Sequence, residues 1–147
     1  MRLQIAIATM AFVAATARAM AEDPAAIEAD LMGKWVAAYN ANKAVDIGAL
    51  FAGDGIFNPA SGVSLKGPDT IAKYLGDRIP KWPQETITVK EAHQSGDVIW
   101  SNGEYTLAGA GDNAGKQIVG QYSNTLLHDA QGWHIVVVTA SMAPMKQ

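Results

Sequence analysis

The 147-residue chain contains no cysteine. That absence excludes disulfides, zinc held by thiolates and a cysteine nucleophile. Positive charge is scarce too: 11 Lys and Arg stand against 14 Asp and Glu, with no Lys/Arg run anywhere. Binding to nucleic acid or to an anionic membrane needs a positive patch, so the charge pattern argues against both. The chain also lacks G-x-S-x-G and H-E-x-x-H, so neither a serine-hydrolase elbow nor a zinc-protease helix is present. Gly109, Gly111 and Gly115 lie between two strand-like segments. They therefore lack the strand-to-helix setting of a phosphate-cradling loop. No internal repeat or low-complexity block interrupts the chain, and its length suits one domain.

The first 21 residues form a unit of their own. "MRLQIAIATMAFVAATARAMA" has a basic start at Arg2, a short apolar stretch and a small-x-small end at Ala19-Met20-Ala21. This is the layout of an export signal, and the apolar part is too short to span a bilayer comfortably. Cleavage is expected after Ala21, placing the mature protein in the periplasm or outside the cell. Loss of Arg2 and Arg18 moves the formal net charge from −3 to −5. An exported chain without disulfides has to rely on its own core.

Beyond the signal, Asp23-Pro24 is a helix start, with Asp as the cap and Pro in the first turn. Ile27, Leu31, Trp35 and Tyr39 then recur every four residues along one helical face. A second short helix is expected over residues 45–51, closed by Gly53. "GIFNPASGVSLKG" reads as two short strands around a turn. Gly67-Pro68-Asp69 opens a third helix, with Ile71, Tyr74, Leu75 and Arg78 on one side. From residue 85 the period falls to two. Strands are expected over 85–94, 98–107, 116–128 and 133–142, joined by hairpins. Helices followed by a long antiparallel meander make an α+β plan. The last strand is largely apolar on both faces, Trp133, Ile135 and Val137 against His134, Val136 and Val138, so both faces need cover. Helices supply one cover and a second copy of the chain is the simplest supply of the other.

In this order of elements the chain resembles the nuclear transport factor 2-like superfamily, including SnoaL-like polyketide cyclases and ketosteroid isomerases. The resemblance rests on "WVAAYNANKAVDIGALFAGDGIFNP", "GPDTIAKYL", "GDVIWSNGEYTL" and "GQYSNTLLHDAQGWHIVVV", which cover nearly all of residues 22–147. It implies a curved antiparallel sheet wrapped by the N-terminal helices into a cone, and one domain over residues 22–147. It does not imply one activity, because the fold hosts enzymes, binding proteins and assembly modules. The isomerase site uses an Asp base and an oxyanion hole of Tyr and protonated Asp. By the resemblance these fall on Asn58, Trp35 and Asn124, so the base is replaced by an amide. An amide cannot collect a proton from carbon, whereas Asn124 retains a donor.

Four residues are thus candidate ligand contacts: Trp35, Asn58, Tyr122 and Asn124. Each has a structural alternative. Trp35 fits the core of its helix, and Asn58 before Pro59 fits a turn. Tyr122 fits core packing with its hydroxyl bonded to water. Asn124 sits on the more apolar face of its strand, where it is either a ligand donor or a buried amide bonded to backbone. Glu104 shares a strand face with Trp100 and Asn102; it fits a solvated edge charge and is also the first acid to consider as a replacement base, while Asp54 between two glycines fits a turn. His128 and His134 flank one turn without a third ligand, and His93 stands apart, so no metal and no cofactor is implied.

The reading that follows is an exported, homodimeric binding protein for a small apolar or carbonyl-containing molecule. The alternatives are an isomerase, cyclase or dehydratase acting on a carbonyl compound with a base such as Glu104, and an interaction module with a filled cone.

Overall fold

A computed structural model describes residues 22–143. The expected signal segment and its cleavage point after Ala21 lie outside the described residues. Helix α1 (Pro24–Asn40) starts as its sequence predicts: the Asp23 side chain accepts from the Ala25 amide, and Pro24 occupies the first turn. Its inward stripe holds Leu31, Trp35 and Tyr39, and it also buries Glu28 and Met32. Helix α2 (Ala44–Gly48) is shorter than expected, because Phe51 belongs to the strand that follows. The cap is Ala49, and Gly53 lies inside the strand.

Strands β1 (Phe51–Asn58) and β2 (Leu65–Lys66) precede helix α3 (Pro68–Arg78). Gly67, at φ 87°, turns the chain into α3 in a conformation that side chains resist. The long meander then comprises β3 (Gln84–Ser95), β4 (Val98–Ala108), β5 (Gln117–Asp129) and β6 (Gly132–Met142). All four match the period-two segments to within about a residue.

The six strands form one curved sheet in the order β2-β1-β6-β5-β4-β3. Every pair is antiparallel except β1 with β6, which makes the sheet mixed. The parallel pair arises because the helical first half returns its strand beside the last one. The register breaks in β1 between Phe51 and Ile56, and single-residue bulges interrupt β3 and β6. Lys90 is the extra residue of β3 between Val89 and Glu91, and Val136 is the extra residue of β6 between Ile135 and Val137. The second bulge alters the alternation expected in β6. Ile135 and Val138 both face the core, while Val136 and Val137 are half-buried.

The core lies between the concave face of the sheet and the helices. It is formed by Leu31, Met32, Trp35 and Tyr39 of α1, Ile71 and Leu75 of α3, and Ile99, Tyr105, Tyr122, Leu126 and Val138 of the sheet. The opposite face exposes Trp100, Val119 and Leu127.

Candidate functional site

The site begins with α1. Trp35 and Tyr39 are four residues apart and therefore face the sheet together. Trp35 packs against Phe51 and Phe57 with ring centroids 5.9 and 5.7 Å away, and Phe57 meets Tyr74 at 6.1 Å. One turn beyond Trp35, the side chain of Asn40 clamps the start of β3. Its amide nitrogen donates to the Glu85 carbonyl at 3.1 Å, and its oxygen accepts from the Glu85 N–H at 2.7 Å. The clamp fixes Glu85 so that its carboxylate points inward, where Trp35 Nε1 donates to Oε2 at 2.8 Å.

On the sheet side, two glycine–tyrosine pairs face each other across β4 and β5. Gly103 pairs with Tyr122, and Tyr105 pairs with Gly120. A Cβ at Gly103 would come within 2.6 Å of the Tyr122 ring, and one at Gly120 within 2.6 Å of the Tyr105 ring. Each ring therefore lies flat over a glycine. The absent side chains leave room for the two rings to lie along the wall of a cavity.

That cavity has a volume of about 60 Å³, room for roughly four to six water molecules. Its walls include Met32, Trp35, Tyr39, Phe57, Tyr105 and Tyr122. Pro59 and Ala60 contribute from the loop after β1, which the Ser61–Tyr74 hydroxyl pair (3.0 Å) ties to α3. The two charged residues lining it are Glu85 and Arg78. Burial pushes the Glu85 carboxyl up to about 7, while the Trp35 N–H and the Arg78 charge pull against it. Tyr39 lies 2% exposed with its hydroxyl unpartnered, and burial together with the nearby Glu85 raises its pKa.

Behind the Tyr122 wall lies a second carboxyl group. Glu28 is fully buried and accepts from Asn124 Nδ2 at 3.2 and 3.3 Å and from the Tyr122 hydroxyl at 3.4 Å. Burial raises its pKa, opposed by the hydrogen bonds from Asn124 and Tyr122 and by the nearby Ser101 hydroxyl. Burial, with Glu28 alongside, raises the pKa of Tyr122 as well.

Of the four candidate ligand contacts, Trp35 and Tyr122 line the cavity. Asn124 is buried outside its lining and bonds Glu28, a partner that neither sequence alternative named. Asn58 faces away from the cavity and donates to Thr139 Oγ1 at 3.2 Å, its register partner on β6. Of the two readings of Glu104, the structure fits the solvated charge and not the replacement base. Strand alternation sends it to the outer face, where it is half exposed and pairs with Lys90 at 3.3 Å. Asp54 is exposed in β1. Neither His128, which packs on Trp133, nor His134, which lies 3.3 Å from Asp129, gains a third ligand. Among the described residues no cluster is placed to hold a metal.

The sequence reading missed Glu85, Arg78, Tyr39 and Glu28 as site groups, although signals for them exist. Glu85 shares its strand face with Ile87 and Val89, and Glu28 lies on the α1 stripe that continues through Met32, Trp35 and Tyr39. A carboxylate on an apolar stripe is the pattern that marks each.

Known proteins agree with this architecture. A family model described as the SnoaL-like domain matches residues 32–138. No curated protein matches the chain significantly by sequence. Among solved structures, the chain is similar to a ketosteroid isomerase-like protein from Erwinia carotovora atroseptica, with TM-score 0.72 and 20% identity, over 84% of this chain and 99% of that one. A nuclear transport factor 2-like superfamily protein from Salmonella enterica serovar Typhimurium gives 0.69 and 17%, over 83% and 93%. A protein of ketosteroid isomerase-like fold from Catenulispora acidiphila, in complex with trimethylamine, gives 0.60 and 19%, over 78% and 86%. Identities this low speak to the fold alone. Together with the family match across most of its length, they establish that the chain belongs to the SnoaL-like domain family of the nuclear transport factor 2-like superfamily.

Proposed function

We propose that this protein binds a small, largely apolar molecule bearing one oxygen function in the cavity between α1, α3 and the sheet. The observation that carries the reading is the composition of that cavity. Aromatic and aliphatic walls surround few polar groups, the charged residues Glu85 and Arg78 and, buried near them, the unpartnered Tyr39 hydroxyl. Binding sites for small molecules are commonly built so, with apolar bulk for affinity and few polar groups for orientation. Trp35 and Tyr122 serve as walls. Asn58 and Asn124 act at most through the elements they brace.

A second reading is favoured by Glu85 itself. A buried carboxyl titrating near neutrality in a cavity is suited to accept and return a proton. An isomerase, cyclase or dehydratase acting on a carbonyl compound would thus use Glu85, in the role first sought in Glu104. Export is part of the proposal and rests on residues 1–21. Homodimerisation through the outer sheet face is also part of it, supported by exposed Trp100, Val119 and Leu127.

Native mass spectrometry of protein purified from the periplasm of an expressing cell tests these points together. The expected species is a dimer of chains beginning at Glu22 that carries an extractable small molecule. A chain still beginning at Met1 would refute export, a monomer would refute the sheet-face pairing, and an empty cavity that also takes up no small apolar probe would refute the binding reading.

A further inference from the structure

The polar groups of the cavity have a definite imbalance between donors and acceptors. Glu85 already accepts from Trp35 Nε1, and its main chain is held on both sides by Asn40. Arg78 is the one Lys, Arg or His lining the cavity, and among the described residues its guanidinium enters no ion pair and no side-chain hydrogen bond. It is placed at the last turn of α3 and is half-buried. Tyr39 also lines the cavity, and its hydroxyl is buried and has no partner among the described residues. Tyr105, in contrast, is satisfied by the Ser141 carbonyl at 3.2 Å.

The groups left over are two donors, one of them with a permanent positive charge, and one acceptor, the second oxygen of the Glu85 carboxyl. A ligand that answers the two donors has to present acceptor oxygens and negative charge. An amine would meet Arg78 with like charge and find one acceptor, the Glu85 carboxylate, whose Oε2 Trp35 already holds.

We propose that the molecule this cavity takes is a small monocarboxylate with an apolar body, its carboxylate seated between Arg78 and the Tyr39 hydroxyl and its body among Trp35, Phe57 and Tyr122. The proposal rests on the reading of the cone as a small-molecule site and specifies its ligand class. Glu85 sets the condition for binding. The groups facing it are Trp35 and Tyr39 from α1, Arg78 from α3 and Tyr105 from β4, with Tyr74 of α3 beside the two tyrosines. Arg78 is the one cation among them. Ionised Glu85 shares that cation and repels the ligand; protonated Glu85 leaves it to the ligand and adds a donor of its own. Uptake of the carboxylate is therefore tied to retention of a proton on Glu85.

The test uses three probes of one skeleton small enough for the cavity: isobutyrate, isobutyramide and isobutylamine. Binding is read from the Trp35 indole N–H resonance, which sits on Glu85, with the resonance assigned through Trp35→Phe. Isobutyrate is expected to bind at least about tenfold more tightly than isobutyramide at pH 6, as a charge-assisted pair allows. Its affinity is expected to fall about tenfold between pH 6 and pH 8, following the protonated fraction of Glu85. Arg78→Met is expected to abolish the preference for isobutyrate over isobutyramide. Tyr39→Phe is expected to weaken isobutyrate about fivefold, the worth of one hydrogen bond. Glu85→Gln is expected to bind isobutyrate with no pH dependence over that range. Circular dichroism of each variant shows whether it is folded, and Arg78→Lys, which keeps the charge, is expected to recover part of the preference.

Equal binding of isobutyrate and isobutyramide, or tighter binding of isobutylamine, would overturn the carboxylate assignment while leaving the small-molecule site standing. An Arg78→Met variant that is folded and keeps the preference would do the same. If none of the three probes moves the Trp35 resonance at concentrations of tens of millimolar, the assignment and the cavity reading both fall.

Discussion

Trp35 Nε1 donates to Glu85 Oε2 across 2.8 Å, joining the middle of the first helix to the first residues of the meander inside an otherwise apolar core. The bond favours the ionised carboxylate, whereas burial opposes it more strongly, so the carboxyl rests near 7. Trp35→Phe removes the donor and keeps an aromatic ring. A hydrogen bond to a charged group contributes about 1.5–3 kcal/mol, which corresponds to roughly one or two pH units. The Glu85 carboxyl in this variant is expected to titrate above its wild-type value, as followed by carbon-13 NMR of the side-chain carboxyl. A lower value would mean that the indole does not stabilise the carboxylate.

Glu85 also makes stability depend on pH. Its folded pKa is raised from 4.5 to about 7, so the folded state holds a proton that the unfolded chain releases between those values. Its contribution is therefore fully present below about pH 4.5 and is lost as pH rises towards and through 7. Glu85→Gln removes the ionisation while keeping much of the shape. Relative to wild type, the variant is expected to gain stability on going from pH 5 to pH 8, by roughly 2–3 kcal/mol. Urea unfolding at both pH values measures the difference. A variant whose stability falls as steeply as wild type over that interval would place the pH dependence elsewhere.

Much of the fold was legible because it is written in periodicity. The 3.6-residue stripe of α1, its Asp23-Pro24 start and the four period-two strands are local signals, and the structure reproduces them. The extent of β1 and the parallel β1–β6 pair were not legible, because Phe51 is apolar in either setting and pairing is decided at long range. The Val136 bulge was hidden in a run of three valines, where either alternation looks the same. The site was harder still. The resemblance directed attention to Asn58 and Asn124, and the charged groups of the cavity come instead from the last turn of α3 and the start of β3. Arg78 and Glu85 occupy element ends, where charge ordinarily means exposure.

Gly103 holds space for the Tyr122 wall. A methyl group there would meet the Thr88 carbonyl and lie 2.6 Å from Tyr122 Cε1. The carbonyl belongs to paired backbone and cannot retreat, so Gly103→Ala is expected to distort β4 and displace the ring. Overpacking of this kind costs about 1–3 kcal/mol. The expected outcome is a lower melting temperature together with altered uptake of small apolar probes. An unchanged melting temperature would show that the sheet relaxes here more easily than its register suggests.

Asn58 sits in the position that the resemblance linked to the isomerase base, yet it faces Thr139 on the side away from the cavity. Asn58→Asp replaces a donor with an acceptor that the Thr139 hydroxyl can serve by rotating. Exposed substitutions of this kind usually change stability by less than about 0.5 kcal/mol. Ligand affinity and stability are both expected to stay near wild type. A large gain of catalysis or a large affinity change in this variant would mean that β1 turns Asn58 inward when ligand is present.

Asn124 and Glu28 form a pair whose members fail differently when altered. Asn124 Nδ2 reaches both Glu28 oxygens, and Glu28 has no exposure through which water could replace it. Asn124→Leu therefore leaves Glu28 with the long Tyr122 contact of 3.4 Å and no other hydrogen bond, since the nearby buried Ser101 hydroxyl makes none. A buried polar group that loses its main partner costs about 1–3 kcal/mol, so this variant is expected to be destabilised by that amount. Glu28→Gln in the wild-type background keeps a carbonyl acceptor for Asn124 and removes a titratable group whose pKa burial raises. It is expected to stay within about 1 kcal/mol of wild type near neutral pH. In the double variant the loss is expected to be smaller than the sum of the two, because Gln brings no charge that needs the missing donor. Chemical unfolding of the four proteins closes the cycle. Strict additivity would show that Asn124 supports the fold through contacts other than Glu28.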